Sequence, residues 1–173
     1  MIQTIDNFFE EDYFDHLHKY SLDTFSDGHS KFRTNHTSWS NRIVLDSKLV
    51  LIHEPEIEFQ REILEKVNSR MKGYSVEPDN CWVLFYYWME GSYIPWHNDH
   101  SYKAAFTFYL NKDWRPEWQG FFMYREGEEI KAIQPAPNRV VHNREKVEHC
   151  TTPVLASSYL RATLQVFEEE TKS

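Results

Sequence analysis

A chain of 173 residues is the size of one domain and buries about 70 % of its unfolded surface without staples. Its net charge of −8 leaves no basic footprint for DNA or RNA. Two cysteines, Cys81 and Cys150, are too few for a disulfide framework and read as ordinary buried thiols of a reduced, cytoplasmic setting. The opening residues carry no secretory pattern and no apolar run reaches the length of a membrane span, so no membrane partner is expected. Asn35-His36-Thr37 fits a glycosylation acceptor, which without a secretory signal has no consequence.

Taken in order, residues 8–25 place Phe9, Tyr13, Leu17 and Tyr20 at three- and four-residue spacing, which predicts a helix. Segment 32–46, around Trp39 and Ile43-Val44-Leu45, is expected to add strands to a sheet edge. Residues 55–71 make the clearer helix, with Pro55 in a first turn beside Glu54, Glu56 and Glu58. Phe59, Ile63, Val67 and Met71 form its apolar stripe, and Gly73 stops it. From residue 80 the period becomes that of strands: 81–88, 93–99, 103–110, 120–125, 129–134, 138–142, 148–154 and 159–167. Eight short strands in a chain with 16 % aromatic residues predict a mainly β fold with supporting helices. The expected core is a double-stranded β-helix, a cupin-like jelly roll, with the N-terminal helices packed on one sheet. Helical support would span about residues 1–75 and the jelly roll about 80–167 of a single domain, 1–173.

Alternation gives two of these strands distinct faces. Arg161, Thr163 and Gln165 oppose Leu160, Ala162, Leu164 and Val166; Lys103, Ala105, Thr107 and Tyr109 oppose Ala104, Phe106, Phe108 and Leu110. The polar faces either line an interior pocket or meet solvent, and solvent is the usual explanation.

The chemistry-bearing segment is Tyr93-Ile94-Pro95-Trp96-His97-Asn98-Asp99. On a strand, His97 and Asp99 share a face. An imidazole and a carboxylate side by side, joined by a second imidazole from a later strand, make a 2-His-1-carboxylate set. Such a set leaves positions open on an octahedral Fe(II) for a chelating co-substrate and O₂. His149, in Val147-Glu148-His149-Cys150-Thr151, and His142 both sit on later strands; His100 has the wrong parity from His97.

In five ordered segments the chain resembles the Fe(II)/2-oxoglutarate dioxygenases, specifically the prolyl-hydroxylase branch that includes the hypoxia-sensing and bacterial enzymes. The segments are Tyr109-Leu110-Asn111-Lys112-Asp113-Trp114; Tyr87-Trp88-Met89-Glu90-Gly91-Ser92-Tyr93 ahead of the His-x-Asp; Pro137-Asn138-Arg139-Val140-Val141; His149 with Pro153; and the opening Ile5-Asp6-Asn7-Phe8-Phe9. The resemblance implies His97, Asp99 and His149 as Fe(II) ligands and prefers His149 to His142 by motif order. It implies Arg161 as the salt-bridge partner of the distal carboxylate of 2-oxoglutarate, Tyr109 as a hydrogen-bond donor to it, and Tyr87 as a residue lining the co-substrate pocket. It further implies hydroxylation of a prolyl residue in a peptide or protein, with O₂ consumed, succinate and CO₂ released and ascorbate as a supporting reductant, by a monomer or weak dimer. A small-molecule or free-amino-acid hydroxylase of the same chemistry is the alternative. A non-catalytic metal-binding jelly roll used as an interaction module is the alternative of another class. Nucleic-acid demethylases are set aside, because only Arg161 is present on the last strand of an acidic chain.

Arg139 and Arg144 are competitors of Arg161 for a carboxylate, and Trp114 and Trp118 can serve simply to roof the core. Gln119-Gly120 stands where the family often has Gly-Gly, and the spacing from His149 to Arg161 is a few residues longer than in the hypoxia-sensing members. Loops 31–42 and 111–120 are the expected specificity loops, with Arg33, His36 and Trp39 in a segment that could close over an extended peptide.

Overall fold

A computed structural model describes residues 2–27, 32–34, 50–155 and 160–170. Thirteen elements follow one another as β1 (Ile2–Ile5), α1 (Glu11–Ser26), β2 (Arg33–Thr34), β3 (Val50–His53), α2 (Ile57–Arg70), β4 (Cys81–Trp88), β5 (Ile94–His97), β6 (Tyr102–Tyr109), β7 (Phe122–Glu126), β8 (Glu129–Ile133), β9 (Val140–Asn143), β10 (His149–Thr151) and β11 (Arg161–Glu169). They build two antiparallel sheets, one in the order β1-β9-β6-β11-β4-β3-β2 and one in the order β5-β10-β7-β8. From β4 onward the eight strands divide four and four between the sheets, the arrangement of a double-stranded β-helix.

The helices cover the outer face of the larger sheet because their apolar stripes have no other place to go. From α1, Phe14 and Leu17 are buried; from α2, Ile63, Leu64 and Val67. They pack on Phe106, Phe108, Ala162, Leu164 and Val166, the apolar parity of β6 and β11. Burial of this face is the main stabilising term of the fold. Pro55 precedes α2 instead of lying in its first turn, since Glu56 is the N-cap and the Pro55 carbonyl accepts from Gln60 Nε2 at 2.7 Å. The N-terminal stretch is tied down at Asn138, whose amide accepts from Phe9 N at 2.9 Å and donates to Phe9 O at 2.8 Å. Arg70 Nε adds a bond to Phe8 O at 2.7 Å.

The opposite parity of β6 and β11 faces the smaller sheet. Ala105, Thr107, Arg161 and Gln165 line the recess between the sheets, so these polar faces look inward and not to solvent. Lys103 departs from that pattern. A register shift between Glu168 and Glu169 turns the end of the ladder, so that Tyr102 packs tilted against Phe167 (4.7 Å) and Lys103 pairs with the buried Glu168 at 2.8 Å. The edge strands of the larger sheet are β1 and β2; of the segment 32–46, Arg33–Thr34 forms β2, while Trp39, His36 and Ile43-Val44-Leu45 lie outside the described residues.

Candidate active site

β5 and β10 are adjacent strands of the smaller sheet, and His97 stands directly opposite His149 in their register. The two imidazole centroids are 4.3 Å apart. Asp99 lies just beyond the end of β5, with Oδ1 at 3.7 Å from His97 Nε2 and Oδ2 at 3.6 Å from His149 Nε2. One ligand atom from each of the three falls within 4.8 Å of the others, a spacing that fits one metal ion. A register shift beside His149 lets both Ile94 and His97, three apart in sequence, face the recess.

The hydrogen bonds fix which nitrogen is offered. His97 Nδ1 is 2.8 Å from the Pro95 carbonyl and His149 Nδ1 is 2.8 Å from the Val147 carbonyl. Only a protonated Nδ1 can donate to a carbonyl, so in the neutral form of both rings the lone pair is on Nε2. The Val147 peptide is itself gripped by Asn143, whose amide nitrogen donates to Val147 O at 3.2 Å and whose oxygen accepts from Val147 N at 3.1 Å. The 3.4 Å approach of Asn143 Nδ2 to His149 Nδ1 is then a contact between two donors, not a bond. Phe122 stacks on His149 at 4.8 Å. Burial lowers the pKa of His149, with the charge of Asp99 acting in the opposite direction.

Arg161 opens β11 on the same recess, 1 % exposed. Among the described residues its Nε and Nη1 meet no partner at hydrogen-bonding geometry, nor does the phenol oxygen of Tyr109, which is close enough to the guanidinium to act on it but not aligned with it, and no carboxylate pairs with Arg161. The guanidinium carbon lies 4.3 Å over the Trp88 ring and 5.4 Å from that of Tyr109. Burial pulls the pKa of Arg161 below the usual arginine value, and Tyr109 offsets part of this. Gly120, at φ +72°, gives the arginine its room: a Cβ there would stand 3.2 Å from Arg161 Cδ and Nε. The Gln119-Gly120 pair therefore retains the glycine that touches Arg161, while Gln119 takes φ 51° without being glycine. The longer connection from His149 to Arg161 includes 156–159, outside the described residues.

One expectation changes, and the competing residues fall away. Tyr87 does not line the recess: it faces the helices, with Phe25 at 5.5 Å and Phe32 at 5.3 Å, while its neighbours Tyr86 and Trp88 take the inward side. β4 is buried on both faces over Val83–Trp88, so alternation there carried no signal. His142 points to the helix side of β9, stacked on Phe106 at 4.0 Å, and has no part in the triad. Arg139 is committed to Asp6 through Nε (2.5 Å) and Nη2 (2.9 Å), and Arg144 sits over Tyr74 at 4.5 Å, so neither competes with Arg161. Residues that sequence reasoning passed over are Trp88 and Asn143. Asn143, a polar residue ending an apolar strand, was the one visible signal. Trp114 and Trp118 pack edge to face at 5.3 Å in the second core between the sheets. Both cysteines are free thiols, raised by burial to about 12 for Cys81 and about 11 for Cys150.

No family model matches the sequence, and no curated protein matches it. Solved structures do. A prolyl hydroxylase from Trichoplax adhaerens, in complex with a hypoxia inducible factor oxygen degradation domain peptide fragment, superposes with a TM-score of 0.72 at 13 % identity, covering 97 % of this chain and 83 % of that one. A prolyl-4-hydroxylase from Pseudomonas putida gives 0.73 at 14 %, covering 98 % and 92 %. HygX from Streptomyces hygroscopicus, with nickel, 2-oxoglutarate and hygromycin B bound, gives 0.67 at 11 %, covering 98 % and 83 %. At such identities the likeness is one of fold: the chain has the jelly roll of these oxygenases.

Proposed function

We propose that the protein, as a single catalytic domain spanning 1–173, is an Fe(II)- and 2-oxoglutarate-dependent dioxygenase that hydroxylates a prolyl residue in a peptide or protein. The observation that carries this is Arg161, a buried cation whose Nε and Nη1 lack partners, opening on the same recess as His97, Asp99 and His149. Burying an unpaired charge is costly. A dicarboxylate that reaches Arg161 with one end and the triad with the other removes that cost and explains both halves of the recess together.

Two imidazole nitrogens and one carboxylate suit Fe(II) with open positions better than a closed four-ligand structural site. His97 and His149 would hold the metal through Nε2 and Asp99 through its carboxylate. Bound there, Fe(II) supplies open positions for 2-oxoglutarate and O₂ and couples decarboxylation to succinate and CO₂ with hydroxylation of a C–H bond. Arg161 would offer two parallel donors to the distal carboxylate, and the Tyr109 phenol a third. Phe122 and Val141 line the recess with apolar surface beside the triad. Ascorbate would act as a supporting reductant.

The peptide substrate is supported by the segments from Tyr87 through Asp99 to Trp114 and by the peptide-bound Trichoplax enzyme, which shares the fold. A small-molecule hydroxylase is the second reading, favoured by the same fold in HygX with hygromycin B. Iron-reconstituted protein should release succinate from 2-oxoglutarate and add one oxygen atom to proline-containing peptides, read by mass spectrometry. Oxygen transfer to free proline or another small molecule, with peptides inert, would select the second reading. Absence of both 2-oxoglutarate turnover and its metal-dependent binding would refute the dioxygenase.

A further inference from the structure

Trp88 and Arg161 stand opposite each other in the β4–β11 register, and the indole lies against the guanidinium at 4.3 Å. The indole is itself anchored: Nε1 donates to Thr163 Oγ1 at 3.0 Å, and the same oxygen accepts from Gln165 Nε2 at 2.9 Å. Gln165 Oε1 in turn accepts from Thr107 Oγ1 at 2.8 Å. This chain of bonds crosses β4, β11 and β6 beneath the recess. Along its stem the arginine runs past Gly120, where a Cβ would meet Cδ and Nε at 3.2 Å. The guanidinium is thus confined by a ring on one side and a side-chain-free backbone on another, while Nε and Nη1 stay uncommitted. A free arginine side chain loses rotamer entropy when it is fixed in place. Where that loss is already taken before a ligand arrives, it does not weaken binding.

We propose that Trp88 is a positioning residue of the carboxylate site: stacked on Arg161 and anchored through Thr163, it holds the guanidinium in place at the recess, where it has no carboxylate partner among the described residues, ready to receive a dicarboxylate. The proposal rests on the reading of this recess as a 2-oxoglutarate site. Trp88 lines the same recess as the triad, but the contact that carries its role is the one with Arg161, so its effect belongs to co-substrate affinity and not to metal affinity.

The test uses the full chain loaded with Mn(II), with 2-oxoglutarate as the calorimetric probe and Mn(II) affinity measured separately; the ¹⁵N–¹H signal of Arg161 Nε, recorded on the metal-free chain because Mn(II) would broaden it, is a readout independent of activity. Trp88→Leu removes both the ring and the N–H and should weaken 2-oxoglutarate at least about tenfold while Mn(II) affinity stays within about twofold. It should also speed solvent exchange of the Arg161 Nε proton. Trp88→Phe keeps a π face and should recover much of the affinity; Thr163→Val keeps the ring but frees it and should cost a few-fold. Should Trp88→Leu not fold, the other two variants decide by the same measurements. Undiminished 2-oxoglutarate affinity in the variants, beside a wild type that binds it, overturns the positioning role alone. A parallel fall in Mn(II) affinity overturns it as well, since the whole recess would then have collapsed. A wild type that does not bind 2-oxoglutarate at all overturns the dioxygenase reading, and the positioning role falls with it.

Discussion

Replacing Arg161 by Met should make the ligand-free protein more stable and the ligand-bound protein less so. In the folded chain this guanidinium is 1 % exposed with two unpartnered nitrogens, each worth about 1–3 kcal/mol of lost hydration. The stacking on Trp88 returns about 2 kcal/mol. Methionine fills a similar volume without a charge, and exchange of a buried ionic group for an apolar one commonly gains about 1–4 kcal/mol. A net gain of about 1–2 kcal/mol, or about 2–8 °C in Tm for a chain of this length, is expected. With Mn(II) and 2-oxoglutarate at a hundred times its Kd, the wild type gains about 2.7 kcal/mol and Arg161→Met gains little, so the order of stability inverts. Differential scanning fluorimetry with and without 2-oxoglutarate reads both halves on one plate. A ligand-free variant less stable than wild type, or one that 2-oxoglutarate still shifts fully, would refute the reasoning.

Other outcomes follow from single residues. His97→Ala and Asp99→Ala should lose Mn(II) binding in calorimetry while circular dichroism stays close to wild type, since the core under the helices does not involve the triad. His142, buried against Phe106 beside the charge of Arg144, has its pKa pushed down to about 4 from 6.5. Above 6.5 the ring is neutral folded and unfolded; between 6.5 and 4 only the unfolded chain takes up the proton, so stability falls as pH drops, by about 3 kcal/mol in all. His142→Phe should remove that component, and urea unfolding at pH 7 and pH 5 should show a difference about 2 kcal/mol smaller than in wild type; an identical difference rules it out. Gln119 holds φ 51°, ψ −135°, a region open almost only to glycine, so Gln119→Gly should raise the urea midpoint by about 1 kcal/mol of stability after the added freedom of the unfolded chain is subtracted. A lower midpoint would show that the glutamine is not strained there.

Legibility in the sequence followed physical asymmetry. β4 was readable end to end, as an uninterrupted apolar run over Cys81–Trp88, but that uniformity hid its facing, which is why Tyr87 was expected in the recess that Tyr86 and Trp88 line. β11 and β6 have unlike faces, and their facing was legible. The smaller sheet was harder: β5 ends at His97, so the shared face expected for His97 and Asp99 arises from the turn after the strand, and the irregular pairing with β10 has no local signature. β9 is buried at all four positions, and only its register separates Asn143 from His142. β1, four residues pairing with β9, is too short to announce itself.

β11 is a partition wall as well as a strand. Arg161, Thr163 and Gln165 face the recess, and Ala162, Leu164 and Val166 meet the helices, all within one run hydrogen-bonded on both edges to β4 and β6. Substitutions can therefore be made on one side almost independently of the other, which lets a lineage alter its chemistry without reworking its core. Insertion or deletion of one residue has no such freedom. It would rotate the following side chains through the wall, exposing leucine to the recess and driving polar groups into the helix-packed core, with β4 and β6 leaving no free edge to absorb the slip. Length changes in this family of shapes should accumulate in the connections before and after β11, and the strand itself should keep its count.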